Sequence, residues 1–301
     1  MKKTIFGALF LLVQTALFSI SIENNMAVDS FGNKVPLKEY NKIIVCDPSA
    51  VEIFYLIGGE NKISAISRTK INKIYPEEKT KNLISVGSII KPSIEKIIEL
   101  NPNLVILNPM AVKIEQSLKQ YNIPYFIDRS VTFEEIFLKT KIYGIFTGKE
   151  NQAEKLIEEK RAKIKAIEKK AEKENKNLKG LILYSSSPMI SFASDTIPAE
   201  IFRLLKIENP AEKYMGNSKI LSSEMILEEN PDIIIGTMKI KSSDEIINSN
   251  EFLKYSKAYK NGKIYVFESD KILRATPRIA EGIEEIYQKI YGVQNKNDTE
   301  K

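Results

Sequence analysis

Residues 93–107 read SIEKIIELNPNLVIL, and residues 222–236 read SSEMILEENPDIIIG. Each opens on serine, carries an apolar stripe at helical spacing, breaks at Asn-Pro and ends in a short apolar run. Such a stripe predicts a helix packed on one face, and an apolar run of that length predicts a buried strand. The proline ends the helix and biases the asparagine before it, Asn101 or Asn230, toward extended geometry. One helix-to-strand device used in both halves of the chain predicts two related α/β lobes. Two lobes leave a cleft between them, and a cleft is where a ligand sits.

Outward from the first copy, residues 28–37 (VDSFGNKVPL) predict a hairpin turning at Gly-Asn. Strands are predicted over 43–46, 63–66, 104–107 and 125–127, with helices after Asp47, over 93–100 and near 113–121. Ser49 and Glu52 fit an S-x-x-E capping box at the start of the first of these helices. The polar stretch 67–82, SRTKINKIYPEEKTKN, is too long for a simple connector. The second half predicts strands over 181–184, 233–235 and 264–267. Between the halves, Ala153, Leu156, Ile157, Ile164, Ile167 and Ala171 form a narrow apolar stripe in a Lys/Glu-rich run. That predicts one helix about 36 Å long, without the sustained heptads of a coiled coil. Alternating strands and helices predict helix-covered, mainly parallel sheets. The expected architecture is therefore α/β: similar lobes over 22–148 and 177–301, joined by a single long connector helix within 149–176.

The 301 residues, 43% of them hydrophobic and 28% charged, suffice for two globular domains. The net charge of +6 includes Lys2 and Lys3, and lysine and glutamate are interleaved elsewhere, so there is no nucleic-acid footprint. Residues 1–21 have a basic start, an apolar core and small residues at Ser19 and Ser21. They predict a secretory signal peptide cut after Ser21, its core being shorter than the roughly 20 residues of a membrane span. Cys46, the single cysteine, makes no internal disulfide, lies away from a lipoprotein position and sits in the apolar run IIVC, as a core thiol does. An exported protein without a lipid anchor is expected in the periplasm. Histidine is absent, which excludes His-based metal sites, a His-ligated haem and a catalytic triad. No P-loop, nucleophile elbow, G-x-G-x-x-G or paired cysteine is present, and nothing points to an enzyme or a resident cofactor.

Arginine is confined to Arg68, Arg129, Arg161, Arg203, Arg274 and Arg278 in a lysine-rich chain. Arg68, Arg129 and Arg274 follow predicted strands, and loops beyond the carboxyl ends of parallel strands bind ligands. A planar, forked donor there suits carboxylate or catecholate oxygens; helix capping or a surface ion pair is the plainer use. Arg278 opens the final helix. Ser186 and Ser187, in the loop 184–195, fit either a cleft lining or turn hydrogen bonds. Tyr75, Asn108, Met110 and Met238 are further candidates beside a flat apolar ligand, with core packing as the alternative. Glu95 and Glu224 open their helices, where the helix dipole alone favours a carboxylate.

The segments VDSFGNKVPL, IIVCDPSAVEIFYLIGGENKISAISR, VGSIIKPSIEKIIELNPNLVIL, SSEMILEENPDIIIG, AYKNGKIYVFESD and ATPRIAEGIEEI, in this order around a connector helix, resemble the periplasmic substrate-binding proteins of ABC importers for iron complexes and vitamin B12. The resemblance spans residues 28–291. It implies a rigid two-lobed monomer that holds a metal chelate, and a membrane permease onto which Glu95 and Glu224 dock, one from each lobe. Haem binders of this family often carry a ligating tyrosine after Val-Gly, where this chain has Ser88, a further ligand-binding candidate by that position. The expected ligand is a ferric siderophore held by Arg68, Arg129 and Arg274, with a corrinoid such as cobalamin, or haem, as the alternative. A binding or sensing module that feeds no permease is the alternative from another class.

Overall fold

A computed structural model describes residues 19–69, 73–127, 129–174, 176–214 and 216–292. In the first half, five parallel strands lie in the order Ser85–Ser88, Ile63–Arg68, Ile43–Val45, Leu104–Leu107, Tyr125–Ile127. The central pair is buried along its whole length because helices cover both faces, which is why these segments read as unbroken apolar runs. Side chains alternate between the faces. Ile43, Val45, Leu104 and Ile106 pack with the helices Pro48–Ile57 and Phe133–Thr147. Ile44, Cys46, Val105 and Leu107 pack with Ile97 and Leu118 on the other side. Burial pushes the Cys46 thiol up to about 12, so it is an inert part of the core.

The expected hairpin is present, with Met26–Val28 paired antiparallel to Lys34–Pro36. A further strand, Ser21–Glu23, pairs with Met26–Val28, and Ile20 is 3% exposed within the N-lobe core. A leader cut after Ser21 would divide this strand and remove Ile20 from its pocket. Leader-free protein starting at Ser19 is therefore expected to be about 1.5–3 kcal/mol more stable than one starting at Ile22, the value of one buried Ile. Urea midpoints of the two forms check this.

Among the described residues, the sheet of the second lobe holds six strands. Five run in the order Ser218–Ile220, Met189–Phe192, Leu178–Ser186, Ile233–Gly236, Ile264–Val266, and Ile207–Glu208 pairs with the start of Leu178–Ser186. The last three of the five are parallel, and Met189–Phe192 runs antiparallel to both of its neighbours. Residues 184–195, read as a loop, instead form most of a hairpin. Strand Leu178–Ser186 runs on to Ser186, turns at Ser187-Pro188 and returns as Met189–Phe192. Its serines mask a pattern in which Met189 and Ser191 alternate inward.

The twin segments fold alike. Helices Ile94–Leu100 and Ser223–Glu229 are capped by Ser93 and Ser222, which accept the N–H of Lys96 and Met225 at 3.3 Å each. The asparagines depart from the expected extended geometry. Asn101 and Asn230 are left-handed, at φ 45° and 44°, and donate their N–H to Ile98 and Ile226. Asparagine tolerates this conformation as glycine does, so each ends its helix as a C-cap before proline could force extension.

The connector is Glu150–Glu174. Its stripe is divided between the lobes: Ala153 joins the N-lobe core, whereas Ile164, Ile167 and Ala171 join the C-lobe core. Phe133, Ile136 and Phe137, from the helix before it, also enter the C-lobe core, and the Phe133 N–H donates to Glu200 at 3.0 Å. Gly144 lets the helix Phe133–Thr147 lie close against the connector, since a Cβ there would lie 2.6 Å from that of Ala153. The lobes thus share apolar packing across the connector. Among the described residues no helix is long and apolar enough to cross a membrane.

Candidate functional site

A cavity of about 550 Å³ lies between the lobes and draws its walls from both. From the N-lobe come Asp47, Thr69, Ile89, Asn108 and Arg129, each following the carboxyl end of a different parallel strand. From the C-lobe come Tyr184, Met238 and the short helix Ser269–Ile272 with residues 273–275 after it. This is the position at which open parallel sheets receive ligands. A groove of about 810 Å³ on the C-lobe, around Tyr265, Phe267 and Gln288, draws on that lobe alone and lacks this convergence.

The cleft floor is built from Asp47. It caps helix Pro48–Ile57, its Oδ1 accepting the Ser49 N–H at 2.7 Å, while its Oδ2 accepts from Asn108 Nδ2 at 3.3 Å. The expected Ser49–Glu52 capping box is therefore absent: Pro48 occupies the first turn, and the cap lies one residue before it. Lys139, wholly buried, donates from Nζ to Ser49 Oγ at 3.4 Å. Arg129 is half-buried, and its main-chain N–H is held by Ser30 Oγ at 2.9 Å. The rim is apolar and open. Ile90 and Met110 are each 60% exposed, and Tyr184, edge-on to Phe192, is 46% exposed. Met238 has φ 59° and donates its N–H to Ser269 Oγ at 2.6 Å.

Glu52 makes a polar junction across the lobes. Its carboxylate is completely buried; Oε1 accepts from Thr276 Oγ1 at 2.5 Å and Oε2 from Arg274 Nη1 at 3.1 Å. Arg278 Nη1 lies 3.3 Å from the same Oε2. Arg274 also donates to the Lys73 carbonyl at 3.0 Å, and the Tyr75 ring lies 4.0 Å from the Arg278 guanidinium carbon. Lys73 and Tyr75, from the long polar stretch, thus reach across to the C-lobe.

Of the predicted residues, the cleft brings together Asn108, Met110, Arg129, Met238 and Arg274. The others lie elsewhere. Arg68 donates to the carbonyls of Thr80, Lys81 and Leu83, at 3.1, 2.8 and 2.8 Å, and so closes the end of the short helix Glu77–Thr80. Tyr75 stacks on Arg278. Ser88 closes a turn, its hydroxyl accepting the Lys91 N–H at 3.0 Å. Ser186 donates to Glu245 Oε1 at 2.8 Å, and Ser187 is exposed at the hairpin tip. Sequence reasoning passed over Asp47, Lys139 and Tyr184. Asp47 was legible as the first residue of D-P-S after a strand; Lys139, on the helix Phe133–Thr147, left no local signal. Among the described residues no group of three or more Cys, Asp or Glu is placed to hold a metal ion.

Glu95 and Glu224 are exposed, one on each lobe, in matching surroundings. Ser93 Oγ donates to Glu95 Oε2 at 2.7 Å. A serine hydroxyl and the residue's own backbone N–H hold each carboxyl below the usual range, so both remain ionised.

A model of the periplasmic binding protein family matches residues 43–271. The ABC transporter substrate-binding lipoprotein YvrC of Bacillus subtilis is 26% identical over 287 residues, covering 92% of this chain and 87% of YvrC. A vitamin B12-binding protein of Vibrio campbellii is 27% identical over 257 residues, covering 85% of this chain and 91% of that protein. The crystal structure of a possible iron-binding, periplasmic solute-binding protein of Staphylococcus epidermidis superposes with a TM-score of 0.73 at 27% identity, covering 84% of this chain and all of that one.

Proposed function

Since the chain belongs to the periplasmic binding protein family, we propose that it is the solute-binding component of an ABC importer, captures a metal chelate between its lobes and hands it to a membrane permease. It acts as a monomer in the periplasm and catalyses no reaction. The ligand is a ferric siderophore. One observation carries this choice: Arg129, Lys139 and Arg274 converge on a single cleft whose rim is apolar. Chelate oxygens meet Arg129 and Arg274, with the buried Lys139 behind them, and the chelate's apolar framework lies against Ile90, Met110 and Met238. The metal's ligands come from the siderophore, so the protein needs none of its own.

A corrinoid is the second reading, and one observation favours it. Arg68 is bound to carbonyls and Arg274 to Glu52, so the cleft offers less positive charge than three arginines would. Cobalamin, with amides and a broad apolar face, needs less. The curated relative from Vibrio campbellii binds vitamin B12, whereas the Staphylococcus epidermidis protein is described as possibly iron-binding.

A thermal-shift panel of ferric catecholates, ferric hydroxamates, cobalamin and haemin on leader-free protein decides between them. A ligand at 100 times its Kd stabilises by about 2.7 kcal/mol. Stabilisation by ferric chelates alone supports the siderophore; stabilisation by cobalamin alone replaces it. With the ferric ligand, Arg129→Ala is expected to weaken binding by about 10- to 100-fold, the loss of a charge-assisted hydrogen bond. Titration calorimetry at low and high salt measures it, and unchanged affinity would refute the role given to Arg129.

A further inference from the structure

We propose that the C-lobe surface around Tyr255 is a contact site for the anionic headgroup surface of a lipid bilayer. Within residues 251–260, EFLKYSKAYK, the solvent-facing side chains are Phe252, Tyr255 and Tyr259, interleaved with Lys254, Lys257 and Lys260, and Glu251 at the start. Buried Leu253 and Ala258 anchor the stretch to the lobe, so the exposed aromatics are presented on a fixed support. The Phe252 and Tyr255 rings lie 6.4 Å apart between centroids, and Tyr255 is 63% exposed.

Tyrosine suits the boundary between headgroups and acyl chains, because its ring is apolar and its tip polar. Lysines beside it are drawn to anionic lipid. A protein partner fits less well, since protein interfaces favour aromatics but are depleted in lysine. Lys257 lies 3.7 Å from Asp232, so Lys254 and Lys260 supply most of the attraction. The site adjoins Glu224: Asn250 Nδ2, just before this stretch, lies 3.3 Å from Ser223 Oγ. The carboxylate proposed to meet the permease and the aromatics proposed to meet lipid therefore lie on adjoining elements of the C-lobe. The role of the carboxylate rests on the transport reading; the lipid contact itself does not.

Flotation of leader-free protein with vesicles of phosphatidylglycerol and phosphatidylethanolamine, and separately with phosphatidylcholine alone, is the test. Binding to the anionic vesicles only is expected. F252S/Y255S and K254E/K260E should each lower it by about tenfold or more, with urea midpoints near wild type because the side chains are exposed. Added salt should release the protein. Absence of binding to anionic vesicles, or binding that both double variants retain, would overturn the proposal. E224A is expected to leave vesicle binding unchanged while impairing uptake, so the lipid site and the docking carboxylate stand or fall in separate assays.

Discussion

Glu52→Ala is expected to lower stability by about 3–5 kcal/mol, because it leaves two guanidiniums facing a buried, empty carboxylate site. Glu52 is 0% exposed, and the side chains it faces are 9% exposed at Arg274 and 18% at Arg278. Neither arginine can regain full hydration without parting the lobes, and Thr276 Oγ1 loses its acceptor as well. A large fall in the urea midpoint checks this. The triple variant E52M/R274L/R278L should be much closer to wild type, since removing every member of a buried ionic cluster avoids the unpaired charge. If E52A alone were as stable as wild type, the junction would contribute nothing. The same variant should weaken ligand binding, because Arg274 lines the cleft and is aimed by Glu52 and the Lys73 carbonyl.

Glu95→Ala combined with Glu224→Ala is expected to cut uptake in cells by about tenfold or more, while purified protein binds its ligand with unchanged affinity. Both carboxylates are exposed and capped only by their own helix starts, so folding does not depend on them. On the proposed docking role, their value lies in orientation and encounter with the permease. Each single variant should retain part of the uptake, one lobe still being engaged. Uptake that survives the double substitution would point to a module that senses rather than delivers. The sign of the pH dependence follows from the carboxyls being held below their usual range. The charge proposed for docking is full at neutral pH, persists as the medium becomes mildly acidic, and is lost only as pH falls through those lowered values.

The lobes and the connector were legible because their signals are local and periodic. SIEKIIEL repeats its apolar residues at helical spacing, and LVIL is short and continuous. The hairpin Tyr184–Phe192 was not, since its serines resemble loop chemistry and its pairing depends on the neighbouring strand. In the cleft, a position after a strand indicates the correct end of the sheet but not the direction of a side chain. Arg68 and Arg129 both follow strands, yet Arg68 turns to the carbonyls of Thr80, Lys81 and Leu83 and Arg129 to the cavity. Glu52 illustrates the other limit. Its spacing from Ser49 satisfies a helix-cap pattern, while its partners lie more than two hundred residues away and become neighbours only when the lobes dock.

The shared packing of Ile164, Ile167 and Phe137 with the C-lobe core, together with the Glu52 junction, has a consequence for traffic at the membrane. If a frame so tied changes little when its cleft is filled, the empty and loaded forms present the two carboxylates proposed for docking at nearly the same separation, and a permease would meet them as rival ligands. By mass action, protein in excess of its cargo occupies the transporter unproductively, and import slows as the binding protein is overproduced.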